Sequence, residues 1–116
     1  MDNPTQEQEK ELWEWCGLTT KYNDEIQYWY ESDGKLIGQG FWEWSPPLDL
    51  NNLYRYAVPK ALDILGYHGE NFKGLQLSKS SAFRRLVKLW MAQPYPEDKP
   101  ALALFWAIYE IMEAGK

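Results

Sequence analysis

Leu12, Trp13, Trp15 and Cys16 form an apolar stripe in an otherwise polar opening and predict a first helix over residues 4–16. Asn3 supplies an N-cap, Pro4 suits the first helical position, and Gln6 follows the cap as in a capping box. Gly17 provides the left-handed position that ends a helix. The period then changes to two: Ile26, Tyr28 and Tyr30 alternate with Gln27, Trp29 and Glu31, and the aromatic content favours a strand. Asp33-Gly34 is a hairpin turn signal, and Lys35-Leu36-Ile37-Gly38 returns as the partner strand. Gly38 and Gly40 interrupt that strand as a bulge would; Phe41-Trp42-Glu43-Trp44 follows, and Pro46-Pro47 ends it.

Asp49 caps a second helix over residues 50–65, with Leu50, Leu53, Tyr54, Ala57, Ala61, Leu62 and Leu65 at helical spacing and Gly66 as its stop. Pro59 lies inside this run, which predicts a kink or a break. Residues 67–74 are polar and Gly-rich, hence a loop or an extended edge. Phe83, Leu86, Val87 and Trp90 fit a helix capped by Ser80 or Ser81, whereas Val87, Leu89 and Met91 fit one face of a strand equally well. Residues 93–99 form a loop, and Pro100 opens a last helix, with Asp98 or Lys99 near its cap. Residues 101–112 are apolar almost all round, the pattern of a helix buried between a sheet and a partner. These elements predict one α+β domain over residues 1–116, a small antiparallel sheet of about three to four strands packed with three helices, sandwich-like.

Composition narrows the function classes. A net charge of −5 disfavours non-specific DNA binding, which depends on a basic face, so no direct nucleic-acid partner is expected. The opening residues lack the basic start and apolar middle of a signal peptide. The longest apolar run, residues 101–109, is about half what a bilayer crossing requires. With Cys16 as the one cysteine, no internal disulfide forms, in keeping with a cytoplasmic setting and no membrane partner. The chain also holds 7 Trp, 8 Tyr and 4 Phe, which either complete a small core or provide a stacking surface for a base, sugar or partner chain.

Catalytic machinery is not legible. His68 and Cys16 are single residues, too few for zinc ligation by Cys and His, and no Gly-rich phosphate loop is present. We therefore expect no enzyme, no cofactor and no metal. His68 reads as a solvated loop residue and Cys16 as a buried helix residue. The 17 acidic residues offer no means of choosing a catalytic pair. Recognition chemistry is better represented. Arg84, Arg85 and Lys88 form the densest basic cluster, either a clamp for phosphate or carboxylate or a solvated face. Arg55 lies between Tyr54 and Tyr56, placed for the same task or for stacking. Trp29 and its tyrosine neighbours cannot all face inward on a regular strand, and Trp42 and Trp44 add further rings to place. The candidate ligand-binding residues are thus Trp29, Trp42, Trp44, Tyr54, Arg55, Arg84, Arg85 and Lys88.

Several stretches carry a resemblance: residues 12–17, the Asp33-Gly34 hairpin, the run from Pro47 to Lys60, and the run from Pro100 to Ile108. Together they make up about a quarter of the chain, touching both ends and the middle, and they resemble a family of small phage and prophage proteins, the phage alpha-beta-alpha sandwich domain. The resemblance implies an antiparallel sheet with helices packed on it and inclines residues 75–91 towards strand. It brings no catalytic residues. A small phage protein without catalytic machinery implies an accessory factor aimed at the host. One expectation is a sponge that sequesters a nucleotide-derived signalling molecule, with aromatic faces for the base and basic residues for phosphates. The other is an inhibitor that binds a host defence protein through an acidic surface; an inert structural phage protein is a third. Homodimerisation, or a higher homo-oligomer, is expected from the apolar last helix and the surplus tryptophans.

Overall fold

A computed structural model of the chain describes residues 3–41, 44–67, 79–94 and 96–115. The described residues form an α+β arrangement with a three-stranded antiparallel sheet and four helices. Two compact units divide the chain, Asp2–Leu48 and Asp49–Lys116.

The first unit opens with helix α1, Gln6–Trp15. Its cap is Thr5 rather than Asn3: the Thr5 hydroxyl accepts from the Gln8 N–H at 3.1 Å, and the Thr5 N–H donates to Gln8 Oε1 at 2.9 Å. Thr5 and Gln8 have the same three-residue spacing as Asn3 and Gln6, and the helix uses the later pair. At the other end Gly17 takes φ 95°, Leu18 N–H donates to Trp13 O and Gly17 N–H to Glu14 O, a complete Schellman closure.

The sheet follows in the order β1 (Thr19–Asn23), β2 (Ile26–Tyr30) and β3 (Leu36–Phe41), with β2 central. The β1–β2 turn, Asp24-Glu25, places Asp24 at φ 58°, a conformation that Asp tolerates better than most side chains. The expected Asp33-Gly34 turn joins β2 to β3, with Gly34 at φ 95° and Asp33 Oδ1 accepting from Lys35 N–H. Trp29 pairs with Gly38 and Tyr30 with Leu36, so the bulge falls at Ile37 and not at the glycines. The register sets Thr20, Tyr22, Gln27, Trp29, Gly38 and Gly40 on one face, and Ile26, Tyr28, Tyr30, Leu36 and Phe41 on the other. Leu12, Trp13, Leu18, Trp29, Gln27 and Pro46 are buried among the described residues of this unit.

The second unit is helical. Helix α2 runs through Leu50–Asn52, a π-helical turn at Leu53–Ala57, and Val58–Tyr67. Asp49 caps it as expected, its carboxylate accepting from Asn52 N–H at 2.8 Å. Pro59 neither breaks nor ends the helix. The wide turn just before it, closed by Val58 N–H to Leu53 O, accommodates the missing donor at position 59. Helix α3 occupies Lys79–Met91, so residues 79–91 are helical where the resemblance inclined them to strand; positions 75–78 lie outside the described residues. The alternation of Val87, Leu89 and Met91 is too short to outweigh the i, i+3, i+4 set Ala82, Leu86 and Leu89. Helix α4, Pro100–Ala114, begins with proline in its first turn. α2, α3 and α4 each pack on the other two, and Leu53, Ala57, Ala61, Leu86, Phe105, Ile108 and Met112 form their core. No helix among the described residues is long and apolar enough to cross a membrane.

Candidate functional site

Gly38 and Gly40 shape the principal site. Both lie on the inward face of β3, where a methyl group would fall 2.5 Å and 2.4 Å from the indole of Trp44. The absence of side chains there lets the Trp44 side chain lie against the strand, with its Cβ end at Gly40 and its far ring edge at Gly38. The Trp44 carbonyl in turn accepts the indole N–H of fully buried Trp29 at 2.7 Å. Two tryptophans therefore lock together, one sealed beneath and one partly exposed above.

Beside them is a recess of about 380 Å³, within the usual range for small-molecule sites. Trp29, Trp44 and Tyr22 give it aromatic walls, and Ser45 adds a hydroxyl. The start of α1 contributes Thr5, Gln6, Glu7 and, one turn on, Lys10. Lys10 makes a long 3.9 Å ion pair with Glu14, both groups well exposed. Such a contact is weak in water, and a Lys preceding a Glu by four residues has the less favourable polarity on a helix. Its ammonium is therefore available to an anion. Burial pushes the carboxyl of Glu9, on the same helix, above its ordinary range.

Gln27 completes the lining, and it is the buried polar residue of the sheet, only 2% exposed. Its amide nitrogen donates to Thr20 Oγ1 at 2.9 Å, and Thr20 donates to Tyr28 O at 3.1 Å. Gln27 Oε1 is buried with no hydrogen-bond partner among the described residues.

No protein-family model, curated protein or solved structure matches the chain. The site's own chemistry has to carry its reading.

The structure distributes the candidates from the sequence over both units. Trp29 and Trp44 come together at the recess. Trp42 lies outside the described residues, as does His68. In the helical unit, exposed Tyr54 meets the edge of Trp90 with ring centroids 6.1 Å apart, and Trp90 Nε1–H donates to Pro100 O at 3.0 Å. The Arg55 guanidinium lies 5.4 Å from the ring centre of Tyr56. Arg84, Arg85 and Lys88 are exposed on α3, with Arg84 and Lys88 one turn apart, and make no ion pair with another described residue. Sequence reasoning missed Lys10, Tyr22, Ser45 and above all Gln27. Gln27 shares a strand face with Trp29 by alternation, but that this face is the inward one, opposite the two glycines of β3, follows only from the register.

Proposed function

We propose that the unit Asp2–Leu48 is a binding module, not a catalyst, for a small polar ligand carrying a flat ring. In the setting its resemblance implies, the chain is a phage-encoded accessory factor that sequesters a nucleotide-derived signalling molecule. One observation carries this reading: the recess joins aromatic walls, the Lys10 ammonium and a buried amide within a single compact unit. Aromatic faces accept any base by stacking. Lys10 suits a phosphate as a compact positive charge. Glu7 and Ser45 suit ribose hydroxyls, Glu7 as acceptor only. The cluster Arg84, Arg85 and Lys88 belongs to the other unit and is not needed for this reading.

Thermal shift and tryptophan fluorescence against mononucleotides, cyclic nucleotides and ADP-ribose derivatives test it. We expect saturable binding by at least one class, weakened by Lys10→Ala and abolished by Trp44→Ala. Silence across the panel refutes the proposal.

A second reading, inhibition of a host protein, draws on the outer sheet face, where Phe41 is 76% exposed and Leu36 is exposed on the same side as Ile26, Tyr28 and Tyr30. Phe41→Asp would abolish capture of a single host partner on this reading, while leaving nucleotide binding intact.

A further inference from the structure

We infer that the recess selects its ligand by an N–H donor, presented by the ring to Gln27 Oε1. The inference rests on the reading of the recess as a ligand site and adds the chemical edge that the ligand must show.

The orientation of the Gln27 amide is fixed by its neighbours. The carbonyl of Tyr28 can only accept, so the Thr20 hydroxyl, 3.1 Å away, commits its one proton there. Thr20 Oγ1 is then an acceptor towards Gln27, and the group facing it at 2.9 Å has to be the NH2. A flipped amide would set one oxygen against another. Oε1 is consequently the end left over, buried and without a partner among the described residues. A buried acceptor left unpaired is penalised, and a guest that donates to it removes the penalty.

The surrounding groups sharpen the demand. The Trp29 indole N–H is spent on Trp44 O, so this ring offers the recess no donor. Tyr22, directly across the β1–β2 ladder from Gln27, is 62% exposed and lines the same recess. A flat heterocycle with an exocyclic amine or a ring lactam N–H satisfies Oε1 while its faces meet the aromatic walls. The same ring without that hydrogen leaves the acceptor desolvated and unpaired. This is a specificity device of the kind that discriminates well, because the wrong ligand strands a buried polar atom.

Equilibrium binding to the full chain tests the inference with two probe pairs, AMP against purine riboside 5′-monophosphate and UMP against N3-methyl-UMP. The first pair removes a donor without adding bulk. We expect the donor-bearing member of at least one pair to bind about tenfold or more tighter, and Gln27→Met, checked for folding by circular dichroism, to bring the two members together. Parent nucleotides that bind no better than their partners overturn the inference and leave the recess as a less selective site, and so does a preference that survives in Gln27→Met. No binding by any of the four probes overturns the inference, and the ligand-site reading falls with it only if the cyclic nucleotides and ADP-ribose derivatives are silent too. The comparisons within wild-type protein stand whether or not the variant folds.

Discussion

Substituting Gly40 by alanine tests how the site is built. An added Cβ would lie 2.4 Å from Trp44 Cδ1, 2.5 Å from Cγ and 2.8 Å from Cβ. Carbon atoms in contact prefer about 3.5–4.0 Å, so the overlap is roughly 1 Å. Rotating the indole relieves the first two clashes but not the third, because Trp44 Cβ is tied to the backbone. The chain at Trp44 has to lift, and lifting it pulls the carbonyl away from the Trp29 N–H that it accepts at 2.7 Å. Overpacking costs about 1–3 kcal/mol, and a buried indole N–H left without a partner costs about 1–3 kcal/mol more. Restricting the unfolded chain returns about 0.4–1 kcal/mol. The net expectation is a loss of about 1–5 kcal/mol, centred near 3 kcal/mol.

Gly38 supplies the control. Its added Cβ would meet only the far ring atoms, Cη2 at 2.5 Å and Cζ2 at 3.1 Å first among them, so a small rotation of the indole relieves it. Gly38→Ala should cost about 1–2 kcal/mol, less than Gly40→Ala. In a Trp44→Ala background the Gly38 clash vanishes, and the same change becomes neutral or stabilising by about 0.4–1 kcal/mol. Gly40→Ala keeps part of its cost there, since Cβ of residue 44 remains. Urea unfolding followed by far-ultraviolet circular dichroism reads all of these without relying on the altered tryptophan. Equal costs for Gly38→Ala with and without the indole would refute the account of β3 as a seat for Trp44.

Three further outcomes follow from named contacts. Thr5→Ala removes the capping box of α1 and should lower stability by about 1 kcal/mol in urea unfolding; because α1 edges the recess, nucleotide binding should weaken with it. Trp90→Phe keeps the ring contact to Tyr54 but loses the bond to Pro100 O, costing about 1 kcal/mol by the same assay. Glu9 binds its proton more tightly in the folded chain than in the unfolded one. Its contribution to stability therefore falls as pH rises from the ordinary Glu range through the raised folded value. Glu9→Gln should flatten that slope and raise the melting temperature slightly at pH 7, as a pH series of thermal melts would show.

The elements that could be read from the chain are those whose cause is local. Asp49 as a cap, Asp33-Gly34 as a turn, Gly17 as a helix stop and proline at the start of α4 each act within a few residues, and each stands as expected. Where two local solutions compete, spacing alone does not choose between them: Thr5–Gln8 and Asn3–Gln6 satisfy the same spacing, and the helix takes the former. Strand β1 gives no signal in the pattern because Thr19–Asn23 has no apolar alternation, and four of its five residues are exposed. Pro59 shows the limit of a rule about one residue, since a single wide turn before it absorbs what would otherwise be a break. For the site, the aromatic half was visible in the excess of tryptophan, whereas the polar half was not. Gln27 sits in a strand where its type normally points outward, and only pairing with Thr20 and Tyr22 on one side and Gly40 on the other reveals that it faces in.

That inversion accounts for the surplus of rings in this unit. A three-stranded sheet has two faces, and here neither is left to small or polar side chains alone. Tyr28 and Tyr30 half-cover the outer one, where the Lys21 ammonium lies 5.6 Å from the Tyr30 ring centre. On the inner one Trp29 is sealed and Trp44 is laid over two glycines. A leucine at position 44 would fill the same seat for hydrophobic burial alone, without needing two bare positions on β3 to admit a flat ring. Glycine weakens a strand interior, so a strand that accepts two of them to seat one indole has given up stability for the placement of a π surface. The placement matters only if something lies against that surface, and the buried amide of Gln27 lines the same recess.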